Sequence, residues 1–129
     1  MVLWMIFIFI MSSMNETISS NQSGFFVSLI ANLFNIKNIE ILTTIVRKMA
    51  HFTEYFILGI LVINSLDISN KRYLYSFIIG FIYAISDEIH QLFITGRSGK
   101  IFDVLIDSLG IIMSIFIYKA YKNLTKLKK

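Results

Sequence analysis

Hydrophobic and polar positions along this chain fall into long blocks, without the short alternation of a half-buried strand. Met1–Met11 is unbroken apolar sequence, Ser12–Gly24 is polar, and Phe25–Ile36 is apolar again. A third apolar block runs from Ile39 to Asn64, and the polar turn Asp67-Ile68-Ser69-Asn70-Lys71-Arg72 closes it. Tyr73–Ile94 and Ile101–Tyr121 follow, joined by Thr95-Gly96-Arg97-Ser98-Gly99-Lys100, and a lysine-rich tail ends the chain. Apolar runs of about 20 residues match the hydrocarbon core of a bilayer at about 1.5 Å per helical residue. The pattern therefore predicts spans over about 1–14, 39–64, 73–94 and 101–121 in one domain, 1–129. Residues 12–24 read as a loop, and 25–36, too short to span, as a helix lying at the interface. The first run reaches only about 16 Å and lacks the basic segment and cleavage site of a signal peptide. It is expected to be a retained helix, with the natural start upstream of Met1.

Composition sharpens this picture. The chain is 56% hydrophobic and contains neither proline nor cysteine, and its mean hydropathy is +0.71. The expected fold class is an all-α integral membrane protein, a four-helix transmembrane bundle with a short interfacial segment. Without cysteine there is no disulfide, thiolate metal site or thiol nucleophile. The net charge of +4 does not point to nucleic acid, because the basic residues flank apolar blocks and make no single face. They read as topology signals. Lys71-Arg72 and the tail (Lys119, Lys122, Lys126, Lys128, Lys129) mark the cytoplasmic side, and an even number of spans puts both termini there. The expected location is the cell membrane, multi-pass, with membrane lipids as partners. Arg47, Lys48, Arg97 and Lys100 then lie on the outer side, against the charge rule, and call for a role.

That role is read from Arg47-Lys48-Met49-Ala50-His51-Phe52-Thr53-Glu54-Tyr55, which places ionisable groups inside an apolar helix. Each such group costs roughly 2.5–3.5 kcal/mol at bilayer depth on insertion scales. Lys48, His51 and Tyr55 share one helical stripe, with Glu54 beside it. Asp87, His90 and Gln91, next to Glu88, form a stripe of the third span. Asp103, Asp107, Gly110 and Ser114 form one on the fourth, where small residues permit close approach. Opposite charges on different spans are expected to pair around a polar pocket open to the outside. The competing reading is a buried ion-pair network that only fixes helix registry.

The candidate ligand-binding residues are Lys48, Tyr55, Asp87, Glu88, Gln91, Arg97, Asp103 and Asp107. Lys48 and Arg97 would hold anionic groups, with Arg97 either binding a phosphate or carboxylate or closing onto Asp103. His51, Glu54 and His90 are the candidate acid/base residues, so both a binding protein and an enzyme remain open. Asp87, Glu88, His90, Asp103 and Asp107 have the chemistry of a divalent-cation site. No HExxH helix motif occurs, however, and Lys48 and Arg97 supply counter-charge, so no metal or other cofactor is expected. Ion movement along the carboxylates is disfavoured by the missing charges in the cytoplasmic half.

The runs Arg47-Lys48-x-x-His51-Phe52-x-Glu54-Tyr55-x-x-Leu58-Gly59, Ser86-Asp87-Glu88-x-His90-Gln91-x-Phe93, Gly96-Arg97 and Asp103-Val104-x-x-Asp107-x-x-Gly110 resemble the signature of VanZ-like membrane proteins. Phe9-Ile10-Met11-Ser12-Ser13, with Ser20 and Ser23, is similar to that family's first-helix and loop pattern. The chain departs from it in its short N-terminus and in Thr95, which stands where the family often has proline. The resemblance implies a small bacterial envelope protein associated with resistance to the glycopeptide teicoplanin, with a cell-wall precursor or glycopeptide as candidate partner. The alternative is a membrane-embedded hydrolase or transferase acting on a lipid-linked or peptide envelope substrate.

Overall fold

A computed structural model describes residues 1–14, 16–66, 71–97 and 99–126, the side chains of 16–23 and 126 excepted. Among these the chain forms five helices and no strand: α1 (Val2–Ser12), α2 (Glu16–Phe34), α3 (Ile39–Ser65), α4 (Arg72–Gln91) and α5 (Ile101–Lys126). The expected turn over 67–70, Ser98 and the last lysines lie outside the described residues.

The all-helical class agrees with the block pattern, but length and composition alone single out fewer spans than four. Only Ile101–Thr125 among the described helices is long and apolar enough to cross a membrane by itself. Gly24–Phe34 and Ile39–Ser65 meet that test jointly, as a pair bent by 120°. Helices α3 and α4 have the length but carry ionisable side chains that lower their apolar character, and α1 has only 11 residues.

The centre of the fold is α3 against α5, with α4 packed on both. Gly110 brings the two backbones together: a Cβ there would lie 2.5 Å from the Phe52 carbonyl oxygen and 3.1 Å from the Phe56 nitrogen. Tyr55, Leu58, Val62, Ala84 and Ile111 fill the core, and Ile8 of α1 completes it. Polar bonds fasten α1 further. Trp4 Nε1 donates to the Glu54 carbonyl at 2.9 Å, and the Tyr83 hydroxyl donates to the Met5 carbonyl at 2.6 Å.

Two boundaries differ from expectation. The stretch 12–24, read as a loop, is helical from Glu16 onward, and the short interfacial segment is the second half of a longer α2. Val27 and Ala31 dock on Leu42 of α3. No proline interrupts the polar run, so a docked helix can propagate back through it. Asn35, at φ 52°, ends α2, and the Asn38 side chain caps α3 by accepting the Ile41 N–H at 3.2 Å. Asn tolerates the left-handed region better than most side chains. Helix α4 ends at Gln91, short of Ile94, because Leu92, Phe93 and Ile94 donate to carbonyls three residues back, and Gly96 at φ 80° turns the chain.

The outside of the bundle is strongly apolar. Leu3, Ile6, Phe9 and Ile10 of α1, Leu74, Ile82 and Ile89 of α4, and Leu105, Leu109, Phe116 and Ile117 of α5 are all exposed. The described basic, acidic and histidine side chains of α3 and α4 between Arg47 and His90 instead are buried or half-buried. That is the inverse of a water-facing helical bundle.

Candidate functional site: a cation-lined cavity

The first turns of α3, the end of α4, the 95–100 connection and the start of α5 enclose a cavity of about 180 Å³. Thr44, Arg47, Lys48 and His51 reach it from one face of α3, as their three- and four-residue spacing dictates. Gln91 comes from α4, Gly96, Arg97 and Lys100 from the connection, and Asp103 from α5. Among the described lining residues, four cationic side chains and one carboxylate face the cavity. That carboxylate is already committed, because Asp103 forms an ion pair with Lys48. Lys48 also lies 5.3 Å from the centre of the Phe102 ring, which fixes its stem.

Arg97 sits in the cavity at a physical cost. Its Nε and Nη1 are buried, and neither has a hydrogen-bond partner. Burial pushes the guanidinium pKa below its ordinary value and Arg47 adds to this, while Asp87, Glu54 and Glu88 oppose it. A buried charged donor left unsatisfied loses more free energy than a neutral one.

Behind the cavity wall sits a second group. His51 Nδ1 lies 3.8 Å from Asp107 Oδ1, an electrostatic contact too long for a hydrogen bond. Asp107 is fully buried with both oxygens unbonded, and the buried Tyr55 hydroxyl also lacks a partner.

Of the candidate residues read from the sequence, Lys48, His51, Gln91, Arg97 and Asp103 line the cavity, and Asp107 and Tyr55 stand behind it. The others are employed elsewhere. Asp87 accepts the Ser12 hydroxyl of α1 and the Gln91 amide, the latter at 3.2 Å. Glu88 accepts the Lys100 N–H at 2.8 Å and lies 3.4 Å from the Gln91 amide. His90 stacks on Phe9 at 4.4 Å and bonds Ser13 at 3.0 Å, on the α1 side of α4. The Glu54 side chain is half-buried and is not among the cavity residues. Arg97 does not close onto Asp103. Thr44, Arg47, Gly96 and Lys100 also line the cavity, though the candidate residues read from the sequence do not include them; basic residues on the outer side were the signal for Arg47 and Lys100. Among the described residues, no group of three or more His, Asp or Glu side chains could hold a metal ion.

A model of the VanZ/LLP1 family matches residues 1–123. The chain belongs to the VanZ/LLP1 family. Neither the curated proteins nor the solved structures gave a match. With the apolar α5, membership points to a membrane-associated protein. In this VanZ/LLP1 chain the Arg47-Lys48-x-x-His51 and Gly96-Arg97 runs converge on the cavity. The Asp87-Glu88-x-His90-Gln91 run contributes Gln91 and otherwise ties α4 to α1 and to the connection.

Proposed function

We propose that this VanZ/LLP1 protein is a multi-pass protein of the bacterial cell membrane whose cavity engages an anionic envelope ligand, and that it thereby changes susceptibility to glycopeptides such as teicoplanin. Helices α1, α3, α4 and α5 are its spans, and both termini are cytoplasmic by the distribution of lysine and arginine. The apolar exterior supports the bilayer placement. The observation that carries the ligand reading is Arg97, with two buried nitrogens unsatisfied in a cavity that holds three further cations. A phosphate or carboxylate, as in a cell-wall precursor or a glycopeptide, would satisfy them with charge-assisted bonds.

Deletion and overexpression of the gene, with teicoplanin susceptibility measured beside envelope composition, test this. Overexpression is expected to lower susceptibility, and Arg97→Gln to abolish that effect while the protein still inserts. Susceptibility that follows neither expression level nor Arg97 refutes the reading.

One observation favours the alternative of an envelope hydrolase or transferase: His51 lines the cavity with Asp107 behind its Nδ1. In that reading His51 is the acid/base, Asp107 positions it, and His90 has no part. His51→Gln would then abolish function in an inserted, folded protein, whereas a binding site would keep partial function.

A further inference from the structure

Lys100 has a second side. Between the end of α4 and the start of α5 runs an apolar groove of about 350 Å³, lined chiefly by Phe81, Ile85, Ile89, Leu92, Val104 and Leu105. Lys100 lines this groove and the cation-lined cavity alike. Glu88 is the one carboxylate among the described groove residues, and the Lys100 N–H and the Gln91 amide orient it. Gly99 sets the junction: a Cβ there would strike the Glu88 carbonyl oxygen and lie 3.0 Å from Leu92 Cγ. Only glycine lets the connection lie directly on α4 with Lys100 at the boundary of the two spaces.

We propose that cavity and groove are two halves of one site for a lipid that carries a phosphate headgroup, with the phosphate among Arg47, Arg97 and Lys100 and the hydrocarbon chain along the α4–α5 groove. The proposal rests on the anion reading of the cavity and narrows it to one ligand class. Arg97 brings two unsatisfied buried nitrogens to the cavity beside Lys100, which suits a phosphate ester. A free phosphate or a peptide carboxylate would account for the cavity and leave the groove unused. An uncharged chain would account for the groove and leave Arg97 unsatisfied. Ile89, Leu92 and Leu105 are each more than half exposed, so the groove is open along its side and a chain can enter laterally from the acyl region.

The test is equilibrium binding to the full chain purified in a neutral maltoside detergent, with three probes: dioctanoyl phosphatidic acid, dioctanoyl phosphatidylcholine and inorganic phosphate. Phosphatidic acid is expected to bind at least tenfold more tightly than either of the others. Leu105→Trp and Leu92→Trp fill the groove from positions 53% and 61% exposed. Each is expected to reduce phosphatidic acid binding to the level of inorganic phosphate and to leave phosphate binding unchanged. Arg97→Gln is expected to weaken both anionic probes.

Phosphatidic acid no tighter than phosphate, or equal to phosphatidylcholine, overturns the lipid proposal and leaves the anion site standing. Groove variants without effect do the same. Failure of both anionic probes to bind, or their indifference to Arg97→Gln, overturns the anion reading as well. Should either tryptophan variant misfold, the three-probe comparison on the unaltered chain decides.

Discussion

Arg97 and Asp107 carry unsatisfied polar atoms for opposite reasons. Arg97 is held by a connection whose backbone turns at Gly96, so its donors enter the cavity whether or not an acceptor is there. Asp107 is buried by the close approach of α3 and α5, and His51 Nδ1, 3.8 Å away, is too far to bond it. Leaving a carboxylate so placed is costly, and replacing it by a neutral isostere removes that cost. Asp107→Asn is therefore expected not to lower the melting temperature in detergent. On the binding account it also preserves the glycopeptide phenotype, and on the hydrolase account it removes it; melting curves and susceptibility of the same variant separate them. The residue-level site was partly legible. Lys48 and His51 were found because three-residue spacing keeps them on one face. Tyr55, a turn further along the same stripe, falls behind the cavity. Asp87 and His90, three residues apart, share the face of α4 that meets Ser12 and Ser13 of α1, whereas Gln91, about 100° on from His90, reaches the cavity.

Both ends of α3 and the start of α5 were readable because apolar blocks with clear polar ends coincide with buried faces, whereas α5 runs on past Tyr121 to Lys126. Helix α2 was not, because its first half is mostly polar and its helical state comes from docking Val27 and Ala31 on Leu42 of the next helix. The close α3–α5 approach was legible in Gly110. A Cβ there meets backbone atoms of Phe52 and Phe56, which cannot swing aside as a flexible side chain would. Gly110→Ala is expected to force the helices apart and destabilise the fold by about 1–3 kcal/mol, as overpacking does. Gly24→Ala makes the contrast: nothing lies within 4 Å of its Cβ position. In a helix interior that change is expected to stabilise by up to about 1 kcal/mol. Thermal unfolding of the two variants, measured side by side, checks the pair; equal effects would mean that the α3–α5 contact is looser than described.

At the scale of the molecule, an apolar exterior surrounds ionisable groups gathered toward one end of the bundle, and the orientation of that end decides what it can meet. The chain has no cysteine, so single cysteines report position cleanly. Thr95→Cys and Lys37→Cys are expected to react with a membrane-impermeant maleimide in intact cells, and Lys122→Cys only after permeabilisation. Labelling of Thr95→Cys and Lys122→Cys from the same side would break the four-span arrangement. The claim on which the functional account turns is that the cavity takes an anion through Arg97, and its most direct test is titration of the purified protein with inorganic phosphate. The account predicts saturable, salt-sensitive binding that Arg97→Gln weakens by the equivalent of about 1.5–3 kcal/mol, the usual range for a bond to a charged group, or roughly ten- to a hundredfold. Absence of binding, or binding that Arg97→Gln leaves unchanged, would contradict it.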